Sequence, residues 1–110
     1  MGNLYVTEHN DYLKKYNKLC NSKINNITQL QNEINEAKKL LKDDCRVGNK
    51  IQKNLWPQKY IQKYDITNLW RYELQEGYRL IYTITSNGNN IYSMLLDLFN
   101  HKEYEKIFKY

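Results

Sequence analysis

The chain is poor in the residues that staple or punctuate small folds. It has two cysteines, one proline and four glycines in 110 residues, and of its 17 basic residues only Arg46, Arg71 and Arg79 are arginine. Cys20 and Cys45 lie far apart with no histidine close to either, so neither a zinc site nor a disulfide framework has support. Both are expected as buried or half-buried thiols, and no cofactor or metal is expected. No window approaches the apolar length of a membrane span, and residues 1–7 lack the apolar run of a signal peptide. A cytoplasmic protein without membrane contact is expected. Met1-Gly2 superficially resembles an acylation start, but Val6 stands where that pattern requires Ser or Thr. With no repeat, linker or low-complexity segment, residues 1–110 read as one domain with a single core.

What is present is basic charge and tyrosine. A net charge of +5 and a pI near 9.1 fit either an acidic partner, nucleic acid or protein, or a lysine-rich surface that is simply solvated. Periodicity predicts a short strand over 4–6 and a helix over 11–20 with Tyr12, Leu13, Tyr16, Leu19 and Cys20 on its apolar face. Ile27, Leu30, Ile34, Ala37 and Leu41 recur every three or four residues, which predicts a second helix over 25–42 with a turn at 21–26. That stripe is read as packed on the protein's own sheet, the alternative being a partner-binding seam. Pro57 argues against a central strand in 49–67. There Trp56, Tyr60, Ile61, Tyr64 and Ile66 suggest a half-buried connection across the sheet, and Lys50, Lys53, Lys59 and Lys63 either stay in water or track a phosphate backbone.

Residues 68–84 alternate as two strands around a glycine-centred turn. Leu69, Arg71, Glu73 and Gln75 share one face of the first, and Arg79, Ile81 and Thr83 share one face of the second. Two guanidiniums, each a planar five-donor fork suited to phosphate, are thereby carried on a sheet surface. Residues 86–90 form an Asn- and Gly-rich turn. The near-continuous apolar run of 91–99 predicts a last strand covered on both sides, and 100–110 reads as a short terminal helix or turn.

Gly77-Tyr78-Arg79-Leu80-Ile81-Tyr82, followed by the hydrophobic strand over 91–99 with its polar exit, resembles the central strand and arginine of the RelE/ParE toxin superfamily. Residues 48–60, Asn68-Leu69-Trp70, and His101-Lys102-Glu103-Tyr104 with Phe108 are similar to a RelE-like prokaryotic subgroup. The resemblance spans roughly the C-terminal two thirds. It implies an α+β fold in which an N-terminal helical hairpin packs on a small antiparallel sheet, with a short C-terminal helix or turn. It also implies a type II toxin that cleaves messenger RNA on the ribosome without a metal, with a cognate antitoxin as partner. Within that superfamily a gyrase-binding toxin that is not a nuclease is the alternative, as is a degenerate RNA- or protein-binding member.

RNA is cleaved without a metal when one group assists attack by the 2′-hydroxyl, another protonates the 5′-oxygen, and cations stabilise the added charge. Arg79, His101, Tyr104 and Glu73 are the catalytic candidates by chemistry and resemblance, and Arg71, which matches by pattern a basic position of RNA-cleaving relatives, is an RNA-binding one. Arg79 is either a transition-state clamp or a partner of Glu73 across the hairpin. His101 is either the acid or base or a solvated loop residue. Lys102 is a candidate for neutralising a phosphate, with Lys50 and Lys53 as further RNA contacts. Glu73 falls where some RNA-cleaving relatives have a second basic residue. Phe108 lies near where some carry a tyrosine, which leaves Tyr104 or Tyr110 for that part.

Overall fold

A computed structural model describes residues 3–22 and 27–108. The chain runs β1 (Leu4–Glu8), α1 (Asn10–Cys20), α2 (Ile27–Asp43), β2 (Asn49–Lys50), α3 (Gln58–Tyr64), β3 (Trp70–Glu73), β4 (Arg79–Asn87), β5 (Asn90–Phe99) and α4 (His101–Phe108). Single 3-10 turns occupy Lys53–Leu55 and Gln75–Gly77. The turn expected at 21–26, the start of the second helix at Asn25 and any part for Tyr110 fall largely or wholly outside the described residues.

The five strands lie in the order β1-β5-β4-β3-β2. This is α+β, but it corrects the expected helical hairpin on an antiparallel sheet. The sheet is mixed, because β1 pairs parallel with β5 from Leu4↔Ile91 to Glu8↔Leu95 while the other pairs are antiparallel. The helices are interleaved with the strands: α1 and α2 follow a first strand, α3 separates β2 from β3, and α4 follows β5, so strands fill much of the C-terminal half. Pro57 accounts for part of this. It cannot join a central ladder, yet with φ −60° it sits well at the N-cap of α3.

Each face of the sheet buries its own cluster. On one, Tyr12 of α1 and Leu30, Ile34, Ala37 and Leu41 of α2 meet Trp70, Leu80, Tyr82, Leu95 and Leu98. On the other, Tyr60 of α3 and Tyr104 and Phe108 of α4 meet Leu69, Ile81, Leu96 and Phe99. Burying each Leu, Ile or Phe side chain among these contributes about 1.5–3 kcal/mol. β5 can be apolar on both sides because helices cover it on both.

Between Ile81↔Asp97 and Tyr82↔Leu95 the β4–β5 register shifts by one, leaving Leu96 as the extra residue of a bulge. The bulge sends both Leu96 and Asp97 to the α3/α4 side. Asn68 extends the β3–β4 ladder with its side chain: Nδ2 donates to the Ile84 carbonyl at 2.7 Å and Oδ1 accepts from the Ile84 amide at 2.8 Å.

Gly48 closes the turn into β2 where no side chain fits. A Cβ there would stand 2.4 Å from the Arg71 carbonyl oxygen and 2.7 Å from the Tyr82 hydroxyl, and that hydroxyl accepts from the Gly48 amide while donating to the Cys45 carbonyl. Gly48→Ala should therefore destabilise the protein by about 1–3 kcal/mol. Chemical denaturation checks this, with a lowered midpoint at unchanged slope as the expected result.

Candidate functional site

The alternation of β3 and β4 puts Arg71, Glu73 and Arg79 on the α3/α4 side of the sheet, with Glu73 directly opposite Arg79. α4 then brings its own residues to the same place. Its first turn is closed by a capping box: the Asn100 amide donates to Glu103 Oε1 at 3.2 Å and the Glu103 amide to Asn100 Oδ1 at 2.9 Å. That cap makes His101 the first helical residue. The start of α4 is also held against the β3–β4 turn, where a Cβ on Gly77 (φ +79°) would come within 2.7 Å of the His101 Cβ. Only glycine allows this approach with that backbone.

The result is a pocket of about 210 Å³ lined by Arg71, Glu73, Arg79, His101, Tyr104 and Glu105. Tyr104 forms its floor. It is 3 % exposed, stacked on Phe108 with ring centroids 4.6 Å apart, and its hydroxyl accepts from Arg71 Nη1 at 2.8 Å. Both guanidiniums lie over its ring, Arg79 Cζ at 5.4 Å and Arg71 Cζ at 5.9 Å from the centroid.

Glu73 Oε1 stands 3.7 Å from the Nε atoms of both arginines. This distance is an ion pair and not a hydrogen bond. Arg79 Nε is shielded from solvent and makes no hydrogen bond among the described residues, while its Nη1 donates to the Tyr78 carbonyl at 3.2 Å. Glu73 is half exposed, so its hold on the arginines is weak and reversible. The clamp and the cross-hairpin pair are thus compatible readings of one arrangement. His101 Nε2 contacts Glu105 Oε1 at 2.7 Å, and both side chains are more than half exposed at the pocket mouth.

Five sequence candidates, Arg71, Glu73, Arg79, His101 and Tyr104, converge here. Three do not. Lys102 is exposed on α4 and does not line the pocket. Lys50 pairs with Trp70 in the β2–β3 register and lines a separate recess with Arg46 and Cys45. Lys53 is exposed in the 3-10 turn. Glu105 escaped the sequence reading, although its spacing of four from His101 on a helix was a legible signal.

A second concavity, a groove of about 580 Å³, lies on the other side of α4 against α1, α3 and the exit of β5. Within it Tyr60 Oη donates to Asp97 Oδ2 at 3.1 Å. Burial pushes the Asp97 carboxyl up, opposed by the Leu98 amide, Lys15 and the Tyr60 hydroxyl, and burial beside Asp97 likewise raises the Tyr60 phenol. Hydrogen bonds from Lys63 and Tyr64 hold Asp11 down at about 2. Burial pushes Glu103 up, but the Lys15 hydrogen bond, the Asn100 amide and the nearby ammonium charges outweigh it and leave that carboxyl below its ordinary range.

Among the described residues no three His, Cys, Asp or Glu side chains cluster as a metal site would require, and no helix is long and apolar enough to cross a membrane. Cys20 and Cys45 are free and half-buried. Compared with protein-family models, with curated proteins and with solved structures, the chain gives no match.

Proposed function

We propose that the protein is an endoribonuclease that cleaves messenger RNA without a metal, acting on the ribosome as the toxin of a toxin–antitoxin pair. The observation that carries the nuclease reading is the convergence of two strand-borne guanidiniums with an exposed His–Glu pair around one pocket. The scissile phosphate sits against Arg71 and Arg79, and Glu73, weakly held, swings aside to admit it. There its carboxylate takes the proton of the 2′-hydroxyl, and the 2′-oxygen forms a bond to phosphorus. The bond from phosphorus to the 5′-oxygen breaks, and that oxygen takes a proton from His101. With Nε2 engaged by Glu105, Nδ1 is the nitrogen that gives it, imidazole being able to serve as acid or base in such a step. Tyr104 is a positioning residue, since its ring and hydroxyl hold the guanidiniums from below.

The toxin role, the acidic antitoxin that would blunt the chain's positive charge and a cytoplasmic setting rest on the resemblance of residues 77–82 and 101–104. The test is induced expression with mapping of messenger RNA ends on ribosomes. Growth arrest with new ends bearing a 2′,3′-cyclic phosphate and a 5′-hydroxyl is expected. Arrest without new ends would overturn the nuclease and favour a bound target such as gyrase. No arrest would overturn the toxin.

A further inference from the structure

The groove on the far side of α4 carries six lysines: Lys14, Lys15 and Lys18 of α1, Lys59 and Lys63 of α3, and Lys106 of α4. Three carboxylates share it, and two are already engaged, Glu103 by Lys15 at 2.7 Å and Asp11 by Lys63. The third, Asp97, is recessed and takes hydrogen bonds from Tyr60 and the Leu98 amide. Lys14, Lys18, Lys59 and Lys106 form no ion pair among the described residues. Lys14 and Lys18 stand four apart on α1, as do Lys59 and Lys63 on α3. Like charges at that spacing repel and weaken a helix, and of these four lysines only Lys63 has a carboxylate partner among the described residues, Asp11.

We infer that this groove binds the phosphodiester backbone of single-stranded RNA. Several ammonium groups spread along three helices suit a chain of evenly spaced single charges better than one compact anion. The floor, built from the buried rings of Tyr60 and Phe99 with Ile107, keeps water from beneath the ammonium groups and strengthens their pull on a phosphate. Flexible lysines, not fixed arginine forks, contact phosphates without reading base sequence. Because α4 separates this groove from the arginine pocket, a strand held here passes over α4 to reach Arg71 and Arg79. That onward path rests on the nuclease reading, whereas binding in the groove does not.

The test measures affinity of a 2′-O-methyl RNA oligomer, which cannot be cleaved, as a function of salt. Lys14→Ala/Lys18→Ala and Lys59→Ala are compared with Lys39→Ala/Lys42→Ala, whose lysines are exposed on α2 outside the groove. Each groove lysine removed should weaken binding and flatten the slope of log affinity against log salt by about 0.7. The α2 variant should keep the wild-type slope, and Arg79→Ala should retain most of the binding. Equal slopes for groove and α2 variants would overturn the inference. So would a groove that binds polyglutamate but not RNA, which would mark it as a site for an acidic protein segment. Near-wild-type cleavage in Arg79→Ala with groove binding intact would sink the nuclease site alone, and equal salt slopes for groove and α2 variants beside lost cleavage in Arg79→Ala would sink the groove alone.

Discussion

Arg79→Ala should lower RNA cleavage by about 10²–10³-fold, the usual loss when one preorganised donor to a developing charge is removed. Arg79 is the less exposed of the two arginine side chains. Its side chain is 16 % exposed against 26 % for Arg71, it lies over the Tyr104 ring, and its Nε is withdrawn from water without a hydrogen bond among the described residues. A phosphate oxygen would supply the acceptor that Glu73, at 3.7 Å, does not. Loss of the side chain's packing should cost stability only about 1 kcal/mol, so thermal unfolding separates a catalytic loss from a folding one. Arg79→Lys keeps the charge but not the planar fork and should recover only part of the activity. Cleavage within a few-fold of wild type in Arg79→Ala would reduce Arg79 to a partner of Glu73.

The second large effect is expected at Gly77. Gly77→Ala should cost about 2–4 kcal/mol: a left-handed backbone penalty for the new side chain, plus a Cβ driven to 2.7 Å from the His101 Cβ. Gly88 is the control, for it also has positive φ (+64°) but nothing within 4 Å of its would-be Cβ. Gly88→Ala should show the backbone cost alone and leave cleavage unchanged. Gly77→Ala should also displace the first turn of α4, taking His101 and Glu105 out of line with the arginines and lowering cleavage. Equal unfolding midpoints for the two variants, or unchanged cleavage in Gly77→Ala, would show that the contact does not position the site. Glycine in the Gly-Tyr-Arg run thus has a spatial reason, the approach of a helix that begins 24 residues later.

Much of the pocket is legible in the sequence. Arg71 shares a face with Glu73, and Arg79 with Ile81, because strand side chains alternate whatever lies beside them, whereas the β3–β4 register that sets Glu73 opposite Arg79 is what puts both faces on one side of the sheet. The α2 stripe of Leu30, Ile34, Ala37 and Leu41 is buried as its spacing required. Both readings depend only on neighbours two to four residues apart. His101 and Tyr104 were placed beside the arginines by resemblance and by their position after the last strand, and the structure brings all four to one pocket.

What escaped the sequence depends on partners far apart in the chain. The parallel pairing of β1 with β5 joins residues 4–8 to 91–95, and nothing local to either strand states the direction of the other. Coverage of both sheet faces required α3, a seven-residue helix too short for its periodicity to stand out beside Pro57. The bulge at Leu96 is set by how β5 meets β4. The lysine groove is the clearest case: Lys15 meets Glu103 across 88 residues, and Tyr64 meets Asp11 across 53. Local alternation and spacing specify the faces of single elements, because backbone geometry imposes them residue by residue. Which faces meet, and so which charges share a groove, was decided by the packing of those elements around the two sides of one sheet.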